Sequence, residues 1–223
     1  MSRLAAAALA AAALSALPAF AGWKEVPVEI SIPARIKLEV GERTLVAQFR
    51  AQPQEDLDVG LEVARWARRE IARLTALTVL DVPPPAVPEQ RLDKLAVNDV
   101  FWRRLGADNR AAVIVSGAAE YTIEERSGFV TEDVQSPITG QMVRRSRYAE
   151  RRGFRLKLTL FFVKADNGAL LHSETWTEDR TLDEAGKPDR LEQLHALLEG
   201  LAPRLASLVA PTKIKEPRYI WID

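Results

Sequence analysis

The sequence predicts an α/β fold: a single mixed β-sheet with helices packed on it, plus a long protruding β-hairpin over about residues 120–157. Three observations predict it. Two strong amphipathic helical patterns alternate with strand patterns along the chain. Ala111 to Ser116 is apolar on both faces, as a central strand covered on both sides must be. Two oppositely charged arms between Ala118 and Lys157 match residue for residue when folded back on each other.

The chain has 223 residues. It opens with a basic start, Met1-Ser2-Arg3, then a Leu/Ala run to Leu17, then Pro18. Small residues at Ala19 and Ala21 precede Gly22. That is the layout of a secretory signal peptide over 1–21, cleaved after Ala21, and it predicts a periplasmic, secreted protein. The run is too short and too Ala-rich for a membrane span, which needs about 20 apolar residues. Charges balance at 31 and 31, and without Arg3 they stand at 30 against 31. No global field draws the protein to nucleic acid or anionic lipid. With no cysteine there is no lipobox, so a lipoprotein is not expected, and neither is a thiolate metal site or a Cys nucleophile.

Residues 22–43 read as a Pro-punctuated extended lead followed by a first strand, Ala34 to Val40, which alternates Ile36, Leu38 and Val40 with charged residues. Residues 44–211 read as one α/β domain. Thr44 to Phe49 alternates again. Asp56 is a candidate cap for a helix over Leu57 to Leu74, and Thr75 to Val82 is a short strand. The prolines at 83–85 and 88 form a stiff connection. A helical pattern runs from Glu89 to Leu105, closed by Gly106. Phe154 to Val163 and Ala169 to Thr181 flank a tight Asp166-Asn167-Gly168 turn, and Asp189 to Val209 is the second leucine-rich helix. Residues 212–223 form a basic and aromatic tail.

The first arm of the hairpin carries Glu120, Glu124, Glu125, Glu132 and Asp133. The second carries Arg144, Arg145, Arg147, Arg151, Arg152, Arg155 and Lys157. Ser136 to Gln141 between them has turn composition. A register in which paired numbers sum to 277 sets Asp133 against Arg144, Glu132 against Arg145, Phe129 against Tyr148 and Val134 against Val143. Only Arg126 against Arg151 conflicts. Two readings of the basic arm stand: a surface for an anionic partner, and mutual neutralisation of the arms, which the pairing favours. Arg144, Arg145 and Arg147 are candidate contact residues. So are Tyr219 and Trp221, in a tail that reads equally as a docking peptide or an edge strand.

Catalytic motifs do not assemble. His172 and Glu174 share a strand face and could hold a metal, but a lone pair is weak support, and no metal site or cofactor is assigned. Glu174, Glu178, Asp179, Asp183 and Glu184 form an acidic run that reads as solvated surface. Ser116-Gly117 mimics a nucleophile turn without a histidine to serve it. Trp66, Trp102 and Trp176 read as core.

From about Thr44 to Val209 the order of motifs resembles the periplasmic domain shared by CsgG, the penicillin-binding-protein activators, the TolB amino-terminal domain and FlgT. The motifs are Thr44 to Phe49, Val100 to Ala107 leading into Ala112 to Gly117, and Phe154 to Val163 running into Asp166 to Leu171. The resemblance implies a non-enzymatic interaction or assembly module of an envelope machine for secretion, motility or cell-wall synthesis, with envelope proteins as partners and no nucleic acid. In CsgG the corresponding hairpin builds a pore wall. Here it is charged throughout, and no pore residue carries over. Oligomerisation stays open. The rival from another class is an envelope hydrolase or ligand-binding protein using His172 and nearby carboxylates, which requires His172, Glu174 and Glu178 to converge in a pocket.

Overall fold

The computed structural model describes residues 22–54, 56–125, 127–138, 140–183 and 188–222. The expected signal peptide, residues 1–21, lies outside them. The chain forms two compact units, 33–211 and the paired end segments.

The larger unit is built on a five-stranded mixed sheet. Its strands are β2 (Arg43–Ala51), β3 (Thr78–Val79), β4 (Val113–Glu125), β7 (Arg151–Lys164) and β8 (Leu170–Asp183), in the order β3-β2-β4-β7-β8. β2 runs parallel to β3 and β4, whereas β7 is antiparallel to both β4 and β8. This is the expected mixed sheet.

Helices pack on both faces of the sheet. α1 (Val59–Leu74) and α4 (Arg190–Val209) share one core with Val46, Val113, Val115, Leu158, Leu160 and Phe162. α2 (Leu92–Ala96) and α3 (Asp99–Asn109) cover Leu45, Ala47, Ile114, Phe161 and Val163 on the other face. The period-2 alternation along each strand produces this division. Ile114 is fully buried, as a doubly apolar strand requires. Trp66, Trp102 and Trp176 are buried, as their patterns predict.

Local chemistry sets the element ends. α1 is capped by Asp58, whose carboxylate accepts the Leu61 N–H at 2.9 Å; the cap is therefore Asp58, not Asp56. The helical pattern from Glu89 to Leu105 resolves into α2 and α3, because Asn98 caps a new helix through the Phe101 N–H. α3 passes through Gly106 and stops at Arg110, which takes a left-handed conformation. A Cβ at Gly106 would lie 2.4 Å from that of Ala165, so this glycine serves close packing and not helix termination.

Ala34 to Val40 forms no strand. Ile36 is buried and its N–H donates to the Leu208 carbonyl, whereas Val40 is 87% exposed. The alternation seats only part of the segment on the core, and no neighbouring strand completes a ladder.

The hairpin register is the predicted one. β4 and β7 pair with Glu120 opposite Lys157 and Glu125 opposite Arg152. β5 (Gly128–Gln135) and β6 (Met142–Ala149) continue it, with Asp133 opposite Arg144 and Phe129 opposite Tyr148. The two ladders are separate: β4 ends at Glu125 and β7 begins at Arg151, beside the one like-charged match in the register. Arg126, half of that match, and Thr139 in the turn lie outside the described residues.

The smaller unit was not foreseen. The lead and the tail pair with each other as β1 (Gly22–Ile32) and β9 (Thr212–Ile222), antiparallel, with Trp23 opposite Trp221. Pro27 faces Pro217. A proline has no N–H to give a ladder, and the sequence reads as an extended lead with no strand partner assigned to it. Matched opposite each other, they fall at a single step of the ribbon.

Candidate interaction surfaces

The β5–β6 ribbon alternates its side chains between two faces. On one, the rings of Phe129 and Tyr148 meet edge to face at 5.6 Å, and both residues are exposed. Thr131 and Ser146 share a hydroxyl hydrogen bond at 2.9 Å, and Arg144 pairs with Asp133 at 3.5 Å. The opposite face carries Val134 beside Val143, with Glu132, Arg145 and Arg147. Glu132 lies across from Arg145, yet its carboxylate turns along the diagonal to Arg147 at 3.1 Å. Arg144 and Arg147 are thus neutralised within the hairpin, while Arg145 makes no ion pair among the described residues.

In the β1–β9 ribbon, Trp23 and Trp221 meet edge to face at 5.5 Å, and the Tyr219 hydroxyl donates to Glu25 at 3.4 Å. Tyr219 and Trp221 stay 62% and 53% exposed. They therefore belong to a paired strand and not to a free tail. The other face of the ribbon carries Val26, Val28, Ile30 and Ile32 of β1 with Ile214 and Ile220 of β9.

His172, Glu174 and Trp176 follow one another on one face of β8. His172 Nε2 lies 3.3 Å from Glu174, and Arg35 donates to both carboxylate oxygens at 3.1 and 3.2 Å. Burial pushes the Glu174 carboxyl up, but the Trp176 indole, His172 and Arg35 outweigh it and hold it below the ordinary carboxylate value. Glu178 turns instead to Arg204 on α4, at 3.8 Å. The three residues that the hydrolase reading needs do not converge in any of the described clefts, which are lined by other residues. Glu184 of the acidic run lies outside the described residues. Ser116 is buried, with its hydroxyl on the Gln48 carbonyl at 2.9 Å. A Cβ at Gly117 would meet the Thr159 carbonyl oxygen at 1.8 Å. This Ser-Gly pair is therefore an interior packing feature.

A cleft of about 870 Å³ opens where β2 ends and α1 begins, and sequence reasoning missed it. Its walls come from Gln48–Gln54, Asp56–Val59, Val87 and Glu89, segments that only the sheet order brings together. The polar run Gln52 to Asp56 was the one available signal.

No protein-family model matches the sequence, and no curated protein does. Solved bacterial structures are similar to it in part. The PelC dodecamer from Paraburkholderia phytofirmans shares 17% identity with a TM-score of 0.44, over 83% of this chain and 99% of that one. The lipoprotein GNA1162 from Neisseria meningitidis shares 12% with a TM-score of 0.39, over 74% and 98%. The LpoB C-terminal domain from Salmonella enterica shares 12% with a TM-score of 0.32, over 63% and 84%.

Proposed function

We propose that this protein is a non-enzymatic interaction and assembly module of a bacterial envelope machine, exported to the periplasm and beginning at Gly22 after cleavage. The observation that carries the reading is the β5–β6 ribbon. It displays an exposed Phe129–Tyr148 pair on one face and Arg145, unpaired among the described residues, on the other, with no described helix packed over either. Exposed aromatics and arginine are the residue types that anchor protein interfaces. Arg144, Arg145 and Arg147 form the charged part of this contact surface. Tyr219 and Trp221 form a second, on the β1–β9 ribbon.

Site-specific photocrosslinking in the native envelope tests this. A photoreactive phenylalanine analogue at position 129 or 148 should give a discrete adduct. The same group at Val40, more exposed than either and on the same unit, should not. Absence of hairpin adducts, with adducts only at Tyr219 or Trp221, would move the contact to the ribbon. Absence at all four positions would sink the proposal, as would an intact Met1 terminus in the cytosolic fraction.

A further inference from the structure

We infer that the cleft at the end of β2 is a binding site for a short zwitterionic peptide or amino acid. Position is the first argument. From the end of β2 the chain passes to α1 on one face of the sheet. From the end of β3, the parallel neighbour of β2, it passes to α2 and α3 on the other face. β3 ends beside Thr44, and the chain then runs on along β2, with the Gln48 N–H donating to the Pro85 carbonyl, so the two connections part for opposite faces near the carboxyl end of β2, where open α/β sheets take ligands. The cleft occupies this crevice: Gln48–Gln54 and Asp56–Asp58 line it from the β2–α1 side, and Val87 and Glu89 from the β3–α2 side. Its volume, about 870 Å³, suits a small ligand.

Charge is the second argument. Arg50, half-buried at the end of β2, takes no ion pair or side-chain hydrogen bond among the described residues. Glu89, on the other wall, takes none either. A guanidinium and a carboxylate that line one cleft without meeting leave a gap between them. A ligand with a carboxylate at one end and an ammonium at the other satisfies both. Asp58 is already occupied by the Leu61 N–H and the Gln48 amide. Gln54 uses its amide nitrogen on the Tyr121 carbonyl, which leaves its amide oxygen to accept from a peptide N–H.

Triglycine, its N-acetyl form and its C-terminal amide are the probes, titrated into the protein with backbone amide shifts as the readout. Triglycine should give saturable shifts confined to residues 48–58 and 87–89. Loss of either terminal charge should weaken binding on the order of tenfold or more, the usual scale for a charged hydrogen bond. Arg50→Gln should abolish the preference for triglycine over its amide while keeping the preference over the N-acetyl form. Glu89→Gln should do the reverse, and because Glu89 is exposed this variant keeps the test alive if Arg50→Gln fails to fold. Shifts that never saturate, shifts scattered outside the cleft, or variants that leave both preferences unchanged would overturn the assignment.

Discussion

Ile114→Ala probes the centre of the fold. Ile114 is fully buried in β4, with Leu45 of β2 on one side and Val163 of β7 on the other. Trp102 and Phe161 belong to the same cluster. The substitution deletes three carbons, which at about 0.8 kcal/mol each is about 2.4 kcal/mol of lost burial. A cavity contribution adds to this, its size set by how far the surroundings can collapse. Here they cannot collapse far. Leu45 and Val163 are held beside Ile114 by the β2–β4 and β4–β7 ladders, and the Trp102 indole N–H is tied to the Leu95 carbonyl at 2.7 Å. The expected loss is therefore about 3–4 kcal/mol, within the range for large-to-small core substitutions. Urea unfolding followed by far-ultraviolet circular dichroism should show a lower midpoint at unchanged slope. Val40→Ala, at an exposed position, should shift stability by less than about 0.5 kcal/mol. A loss under about 1 kcal/mol for Ile114→Ala would refute the central, doubly covered placement of β4.

Two further outcomes follow from particular side chains. Burial pushes the Tyr121 hydroxyl up to about 12; Arg190 opposes this and Asp189 adds to it. Its contribution is complete below pH 10, where the phenol is neutral in both states, and is lost as pH rises from 10 to 12 because only the unfolded chain ionises there. Tyr121→Phe should flatten that fall and, by leaving the Arg190 carbonyl without its 3.0 Å donor, cost about 1 kcal/mol at neutral pH. A pH profile of the unfolding midpoint for both proteins checks this. On the hairpin, Arg144→Glu breaks a pair whose side chains are 78% and 59% exposed, so stability should change by no more than about 1 kcal/mol. Chemical denaturation measures that change, and crosslinking yield from position 129 should drop if the tip contacts the partner.

Much of the sheet was legible because its residues obey local rules. The alternation in Thr44 to Phe49, the double-sided apolar run around Ile114, and the complementary charges from Glu120 to Lys157 each specify a strand or a register from neighbours in sequence. The helix patterns were equally plain, and the errors at their ends came from competing caps, Asp56 against Asp58 and Gly106 against Arg110. Ala34 to Val40 misled because alternation reports where side chains are buried, and Ile36 is buried by a helix without a strand beside it. The β1–β9 pairing was out of reach for a different reason. Gly22 and Ile222 are 200 positions apart, and Pro27 speaks against a strand until Pro217 is seen opposite it. The cleft was hidden for the same reason: Arg50 and Glu89 share it through strand order, which no local pattern encodes.

The hairpin shows how the same register can serve two ends. From Val113 to Gly117, β4 is stabilised by burial, with both faces covered and no charges. Beyond Glu125 the strands are mostly exposed, with no covering layer among the described residues, so they cannot draw on a core. Cross-strand pairs replace it: Phe129 with Tyr148, Thr131 with Ser146, Asp133 with Arg144. Each contributes about 0.2–1 kcal/mol, so the ribbon is held in register without being held rigid. Such a segment can open or change sequence locally while the sheet stays folded. Within the larger unit, the Asp133→Arg, Arg144→Glu double swap separates fold from function most cleanly. It keeps the local pairing and the pair's net charge but exchanges the positions of the positive and negative groups shown to a partner, so binding should fall where stability does not.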